Sequence, residues 1–318
     1  MLCEGIFVNS VAKARVMQLL PVIPPQRVPI DSGFDYVTVD AQRRRVYAAH
    51  TGSQALLIVD ADSGRILGQV KVGPLHGVAV DPSTGHVFTG DGESRTVSEI
   101  DPMSKMVLRS ADVDGNVDAI AFDPANGHIY ADEDDGTRIF VIDASSMKSV
   151  GTVALPGHKP EFLTVDPATH DVYQNISDLS EFVVVDGTSL KVTHTIPTPD
   201  IKGNHPLQYD PAFGHVLVGG QNGVFAAYDK TGTLVGKTAI QPRVDQCSLD
   251  RASHRFACAG SGLLTVLQDN PSGAPTVIAQ TAIPAEAHTV GIDPTTGAIW
   301  IVWPATDGDF TQSFKVQP

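Results

Sequence analysis

Hydrophobic and polar residues follow a pattern that repeats along almost the whole chain. Seven times a short apolar run ends in an aspartate, and these anchor aspartates are 41, 42, 43, 44, 40 and 43 residues apart. The anchor aspartates are Asp40, Asp81, Asp123, Asp166, Asp210, Asp250 and Asp293. A period near 40 residues is typical of propeller blades, so the repeat unit is the first guide to the fold.

Each repeat predicts four short β-strands. In the second repeat, the apolar run 77–81 is followed by the turn 82–86 and by a second apolar run that starts at Val87. Turn residues between short apolar runs are typical of β-hairpins. Because four strands per period make one blade, the sequence predicts an all-β, seven-bladed β-propeller with four-stranded blades.

The last repeat lacks room for a fourth strand, since only three strands fit after Asp293. Residues 13–22 match the fourth-strand pattern and precede the first repeat. We expect this N-terminal strand to complete blade seven and close the ring, which removes exposed sheet edges. The chain is then one domain, residues 1–318, without a linker.

With this repeat, the chain resembles the YVTN/YncE-like seven-bladed β-propeller repeat family from about Phe34 onward. The residues that carry the resemblance are 34–36, 76–78, 117–120, 159–162 and 244–245. The resemblance implies a binding or scaffold module and a periplasmic or secreted location. His205 and His288 depart from the residue types common in blades five and seven of related chains, which argues against a pure scaffold.

The residue five positions before each anchor aspartate is a potential metal ligand in all seven repeats. These ring residues are Asp35, His76, Asp118, Glu161, His205, Asp245 and His288. The chain of 318 residues has 36 Asp and Glu and 11 His, so seven matches by chance are on the order of one in a million. Equivalent positions lie at equal height around a propeller axis, so we expect these side chains to converge.

Three histidines spread almost evenly around the ring predict a metal site. We expect His76, His205 and His288 to be the primary ligands, with Asp35 and Asp245 beside them. Three imidazoles that leave an open position favour Zn²⁺, and the carboxylates also suit Mn²⁺, Fe²⁺ or Ca²⁺. The alternative is a polar ring that lines a water-filled channel.

Two further sets of residues have predicted roles around the metal. Asp118 and Glu161 are the candidate general bases, since a carboxylate that is not a ligand takes a proton from metal-bound water. The hairpin register, approximate to one residue, also places a supporting residue opposite four ring residues. These pairs are Asp91 with His76, His50 with Asp35, Glu133 with Asp118, and Trp303 with His288. Trp303 is expected in the core or, alternatively, as an aromatic wall for an apolar substrate.

Charge and cysteine content narrow the partners. The formal net charge of −14 excludes a nucleic-acid partner, and no apolar run is long enough for membrane insertion. The chain has no recognisable export signal.

Cys247 and Cys258 fall opposite each other, so a disulfide is geometrically possible, but we expect buried free thiols. The histidines His86, His128, His170, His215 and His254 recur at hairpin turns and are expected on the surface.

These observations predict a metal-dependent hydrolase that acts on a small ester, lactone or phosphotriester. By fold-level analogy, propellers of the gluconolactonase and paraoxonase type hold a metal in the channel and hydrolyse such substrates. The alternative is a non-catalytic binding or scaffold propeller of the cell envelope, with a structural or vestigial metal site and a protein partner.

Overall fold

The computed structural model describes residues 16–28 and 32–317, which confirm the all-β class. Apart from two short 3₁₀ segments, Thr51–Ser53 and Ser177–Leu179, the elements in these ranges are strands. No helix within them is long and apolar enough to cross a membrane. The strands are β1 (Met17–Val28), β2 (Val37–Asp40), β3 (Arg45–His50), β4 (Ala55–Asp60), β5 (Ile66–Lys71), β6 (Leu75–Val80), β7 (Val87–Asp91), β8 (Thr96–Asp101), β9 (Met106–Asp112), β10 (Val117–Asp123), β11 (His128–Glu133), β12 (Arg138–Asp143), β13 (Lys148–Ala154), β14 (Pro160–Asp166), β15 (Asp171–Ile176), β16 (Glu181–Asp186), β17 (Lys191–Pro197), β18 (Asn204–Asp210), β19 (His215–Gly220), β20 (Val224–Asp229), β21 (Leu234–Ala239), β22 (Cys247–Asp250), β23 (Arg255–Gly260), β24 (Leu263–Gln268), β25 (Thr276–Ala282), β26 (Val290–Asp293), β27 (Ala298–Ala305) and β28 (Gly308–Val316).

The described strands form six sheets. Five are four-stranded and follow chain order, namely β2–β5, β6–β9, β10–β13, β14–β17 and β18–β21. The sixth has eight strands in the order β22, β23, β24, β25, β1, β28, β27, β26. The first five repeats of the sequence are therefore separate four-stranded sheets, as their turn spacing predicts.

The N-terminal strand β1 joins the last two repeats into one sheet. It pairs antiparallel with β28, from Leu19 opposite Val316 to Val28 opposite Asp309. At Met17 and its neighbour it also pairs parallel with β25. The strand predicted over residues 13–22 is thus found farther along the chain, and residues 13–15 lie outside the described residues.

The anchor aspartates hold the turn after the first strand of every repeat. Each of the seven carboxylates accepts a hydrogen bond from a turn backbone N–H, at 2.8 to 3.1 Å. The fourth residue after each anchor has a positive φ, which glycine adopts without strain in four repeats. The other three repeats place Arg44, His170 and His254 there. One local hydrogen-bonding pattern thus sets the repeat.

The core lies between neighbouring sheets. In five repeats the seventh residue after the anchor is a large aromatic, and none of these side chains is more than 2% exposed. They are Tyr47, Phe88, Tyr130, Tyr173 and Trp300. Full burial of such a side chain contributes about 1.5–3 kcal/mol, so these layers hold the sheets face to face.

The first strand of each repeat faces a common space. These inner strands are β2, β6, β10, β14, β18, β22 and β26, and each contacts the next, with β2 also contacting β26. A cavity of about 340 Å³ is lined by residues from the inner strands or their starts in all seven repeats. We call this space the channel. The ring residues lie where the inner strands begin.

Cys247 and Cys258 are bridged. They face each other directly in the β22–β23 register, with their Cα atoms 4.5 Å apart. The register expectation is confirmed, and the expectation of free thiols is wrong because the two side chains stand on one face of neighbouring strands.

Candidate functional site

The ring residues begin the inner strands in all seven repeats. Asp35, Asp245 and His288 lie two residues before β2, β22 and β26, and the other four lie within β6, β10, β14 and β18. Their side chains are 17% to 37% exposed. They are thus partly withdrawn from water yet open at one end of the channel.

Three ring residues form a compact group that we call the triad: Asp35, His76 and Asp118. His76 Nδ1 lies 2.6 Å from Asp35 Oδ2 and 3.8 Å from Asp118 Oδ1. One ligand atom from each residue lies within 4.8 Å of the other two. One imidazole and two carboxylates are a donor set that suits Zn²⁺, Mn²⁺ or Fe²⁺, so the triad fits a transition metal.

The other four ring residues form a continuous group that we call the tetrad: Glu161, His205, Asp245 and His288. His205 Nδ1 lies 3.2 Å from Glu161 Oε2, and His205 Nε2 lies 2.9 Å from Asp245 Oδ1. The other oxygen of Asp245 lies 2.8 Å from His288 Nδ1. The three histidines of the predicted ligand set are therefore divided between two groups, with carboxylates beside each.

Two of these short contacts lack hydrogen-bond geometry. The buried Nδ1 atoms of His205 and His288 have no hydrogen-bond partner among the described residues, although carboxylate oxygens lie at 3.2 and 2.8 Å. Two ligands about 2.1 Å from one ion and at right angles to each other lie about 3 Å apart. Two donors that share an ion can therefore lie this close without a hydrogen bond between them.

Burial raises the pKa of three ring carboxyl groups. The pKa of Asp118 lies well above its usual range because burial and the charges of Asp35, Asp132 and Glu161 disfavour ionisation. Burial raises the pKa of Glu161 to about 7, against the charge of His205. Burial also raises the pKa of Asp35, although its hydrogen bond with His76 opposes the shift. A cation at this site would relieve that crowding of carboxyl groups.

The imidazoles of the ring favour their charged form. Burial lowers the pKa of His205, but its contacts with Asp245 and the charge of Glu161 outweigh burial and raise this pKa to about 9. The contact with Asp245 raises the pKa of His288 against burial. Burial would raise the pKa of Asp245, but its contacts with His205 and His288 outweigh burial and lower this pKa. The raised pKa values of His205 and His288 favour positive charge next to the carboxylates, and a bound metal ion would supply that charge in their place.

Tyr36 links three repeats next to the ring residues. Its hydroxyl group lies 3.4 Å from both Asp118 Oδ2 and the backbone oxygen of Glu161, so it reaches from the first repeat to the third and fourth. Its ring packs on Phe162 with centroids 5.6 Å apart. No pattern in the sequence pointed to this hydroxyl contact, because the three residues are far apart in the chain.

The buried carboxyl group under the ring is that of Asp132 and not, as predicted, that of its neighbour Glu133. Val117 pairs with Glu133, but the next pair is Ile120 with Ala131, so a bulge shifts the register of β10. Asp132 is fully buried as a result, and its carboxylate accepts a hydrogen bond from the backbone of β10 at 2.7 Å. The predicted partner of Asp118, Glu133, instead binds Arg138 at 2.6 Å.

The two supporting residues predicted in the first two repeats also take other partners. Asp91 pairs with Leu75 because β6 has a similar bulge, and its carboxylate accepts hydrogen bonds from Thr96 and Ser98 at 2.9 and 2.8 Å. Burial lowers the pKa of His76, but the hydrogen bond and charge of Asp35, with smaller contributions from Asp134 and Asp91, raise it overall.

His50 lies inside the protein and away from Asp35. The backbone N–H of Asp35 instead donates a hydrogen bond to the backbone oxygen of Ala49. The His50 imidazole stacks on Phe34 and is hydrogen-bonded through Nε2 to the carboxyl group of the buried Asp309. Asp35 therefore faces Ala49 and not His50, so the predicted pairing of His50 with Asp35 is off by one residue.

Trp303 is almost fully buried, at 7% exposed, and stacks on Phe310 with ring centroids 5.4 Å apart. This is the packing role expected for it. Its edge nevertheless helps to line a cavity of about 480 Å³, together with Pro284, Glu286 and Pro304.

Comparisons with known proteins identify the fold and not a family. No protein-family model matches the chain, and no curated protein matches it. Solved structures do match. One is a chain of hydrazine synthase from Kuenenia stuttgartiensis, with a TM-score of 0.77 and 14% identity over 90% of this chain and 97% of that chain.

A second similar structure is a chain of a mitotic checkpoint complex. It has a TM-score of 0.79 and 14% identity, and the match covers 100% of this chain and 98% of that chain. Identity this low carries no information on activity. Both neighbours are β-propeller-type folds, and the chain therefore has a β-propeller fold.

Proposed function

We propose that the chain is one seven-bladed domain, residues 1–318, of the YVTN/YncE-like type, with β1 as the outer strand of blade seven. The antiparallel pairing of β1 with β28 and the contact between β2 and β26 support a closed ring. The bridge between Cys247 and Cys258 is typical of proteins from oxidising compartments, which supports a periplasmic or secreted location.

We further propose that this propeller is a metal-dependent hydrolase for a small ester, lactone or phosphotriester. The observation that carries the proposal is the triad, whose three ligand atoms lie within 4.8 Å of one another at the open end of the channel. A divalent ion, zinc in the first place, would lower the pKa of bound water and polarise the substrate oxygen.

Of the two candidate general bases, Glu161 fits that role better. Asp118 contributes an oxygen to the triad and is suited to bind the ion. Glu161 lies at the border between the triad and the tetrad, with its carboxylate 3.2 Å from His205. A carboxylate next to the donors, and not among them, is placed to accept a proton from water.

Metal analysis and three variants test this proposal. Purified protein is expected to contain a divalent metal, and added Zn²⁺ or Mn²⁺ is expected to raise the Tm of metal-free protein. His76→Ala, His205→Ala and His288→Ala should weaken both effects. Protein that contains no metal and whose Tm does not respond to added metal would contradict the proposal.

The alternative proposal is a non-catalytic propeller that binds a protein partner. A neighbouring fold that is a chain of a multi-protein complex favours this alternative. Here the metal would be structural. Metal-loaded protein without metal-dependent turnover of ester, lactone and phosphotriester panels would support the alternative over the hydrolase.

A further inference from the structure

A second cavity, of about 580 Å³, lies where the inner strands of the first four repeats end. It shares Thr38, Val80 and Phe122 with the lining of the channel, so the two spaces adjoin. In the sixth repeat, the ring residue Asp245 and the cavity residue Arg251 are six residues apart, which is roughly 20 Å along an extended strand. The cavity is therefore remote from the ring, and we call it the anchor-end cavity.

The walls of the anchor-end cavity are mainly apolar. Val39, Val80 and Phe122 line it from the inner strands of the first three repeats. At the rim, three repeats contribute the proline that directly follows their anchor aspartate, namely Pro82, Pro124 and Pro167. Because proline rings restrict the backbone, this rim is rigid. A cavity of this volume with apolar walls suits a small organic ligand.

Arg251 brings a positive charge to these walls. It directly follows the anchor Asp250, at a position that is proline in five other repeats. Its Nη2 atom donates a hydrogen bond to the backbone oxygen of Val165 at 3.3 Å, so the side chain extends from the sixth repeat to the fourth. This is the one hydrogen bond of the guanidinium group to the described residues. Since a guanidinium group has five N–H donors, donors remain for a ligand.

Arg251 has no acidic partner among the residues that the structure describes. The anchor Asp166 of the fourth repeat pairs with Lys230 at 3.6 Å. Asp40, a carboxylate of the lining, pairs with Arg43 at 3.3 Å and accepts a backbone hydrogen bond at 2.9 Å. The uncompensated charge of the cavity is therefore positive, which favours an anion.

We propose that the anchor-end cavity binds a small organic acid, with its carboxylate on Arg251 and its apolar body against Val39, Val80 and Phe122. A guanidinium group binds a carboxylate through two parallel N–H···O bonds, and burial of the apolar body adds to the affinity. One arginine matches the single charge of a carboxylate better than the higher charge of a phosphate monoester. This site goes beyond the proposed hydrolase and needs no metal.

Calorimetric titration of the unmodified protein with octanoate is the first test, with a chelator present so that no metal contributes. Octanoate should bind with one equivalent and with a negative heat-capacity change, because apolar surface is buried. Acetate lacks the apolar chain and should bind about a hundredfold more weakly or less. 1-Octanol lacks the charge and should bind about tenfold more weakly.

Two variants place the ligand in this cavity. Arg251→Gln removes the charge of an exposed side chain and should lower the affinity for octanoate about tenfold. Ala121→Leu adds volume to the lining and should lower that affinity by a similar factor. The matched control is Arg65→Gln, because Arg65 is exposed in an outer turn of the first repeat. This control should bind octanoate as the unmodified protein does, and the Tm of each variant checks its fold.

Three results would overturn the inference. The first is the absence of saturable octanoate binding. The second is octanoate binding that Arg251→Gln leaves unchanged, or 1-octanol binding as tight as octanoate binding, since either shows that the charge plays no part. The third is tighter binding of octyl phosphate than of octanoate, which would show that the anion is not a carboxylate. Because the chelator removes metal from the ring, each result is independent of the hydrolase proposal.

Discussion

Arg44 and Asp293 form an ion pair between the first and last repeats, with Arg44 Nη1 2.8 Å from Asp293 Oδ2. Asp293 is an anchor aspartate whose side chain is fully buried, and Arg44 is the fourth residue after its own anchor. His170 and His254 occupy the same turn position and bind the anchors Asp123 and Asp210 at 2.7 Å. Three junctions between successive repeats therefore share one kind of contact.

Removal of the Arg44 side chain should weaken the junction of the first and last repeats. Arg44→Gly suits the positive φ of this turn, so the substitution removes the contacts of Arg44 with Asp293 and with the exposed Asp62 without backbone strain. We expect a loss of about 1–2 kcal/mol of unfolding free energy, since a charged hydrogen bond contributes about that much when partly exposed. Chemical denaturation measures it, with the exposed Arg65→Ala as control. Equal effects of both substitutions would contradict the prediction.

Metal-free protein should lose stability as the pH rises from about 4.5 to about 7. The pKa of Glu161 rises from 4.5 to about 7 on folding, so the folded state binds more protons in this window. The loss is about 2–3 kcal/mol, at about 1.4 kcal/mol for each pH unit. Glu161→Gln should reduce this slope, and the exposed Glu286→Gln should leave it unchanged.

Divalent metal should reverse that trend, because the bound ion favours ionised carboxylates. Thermal unfolding between pH 4.5 and 8, with a chelator or with Mn²⁺, measures both slopes. An identical slope in Glu161→Gln and the unmodified protein would assign the effect to other groups.

The bridge between Cys247 and Cys258 should leave one titratable thiol in the denatured, unreduced chain, which has three cysteines. Reduction should expose all three. The bridge closes a loop with a sequence separation of 11, which stabilises the fold by about 2–3 kcal/mol. The double variant Cys247→Ala, Cys258→Ala should lose that amount. Three thiols without reductant would refute the bridge.

The Tyr36 hydroxyl group should stabilise the ring. Tyr36→Phe removes its contacts with Asp118 and the Glu161 backbone, and we expect a loss of about 1 kcal/mol together with weaker metal binding. Tyr47→Phe is the matched control, because the buried Tyr47 hydroxyl group has no partner among the described residues. This control should be neutral or stabilising. Equal losses in both variants would exclude a specific role for the Tyr36 hydroxyl.

The repeat pattern predicted the strands because its causes are local. Anchor aspartates such as Asp81 bind their own turn, so spacing along the chain is enough to locate the hairpins. The contacts around the ring are different, since His205 and Asp245 are forty residues apart and their distance depends on how two sheets pack. The bulge that buries Asp132 in place of Glu133 depends on strand pairing, which alternation alone does not determine.

Every anchor aspartate binds the turn that follows it, whereas the ring residue of the same repeat lies five residues earlier, where the inner strand begins. In each repeat, the residue that holds the turn and the residue that contributes a side chain to the ring are therefore different. A substitution at Asp35 or His288 changes the donor set without touching the turns or the aromatic layers. The donor set at the seven ring positions can therefore change while the turns and the sheets of the fold stay the same.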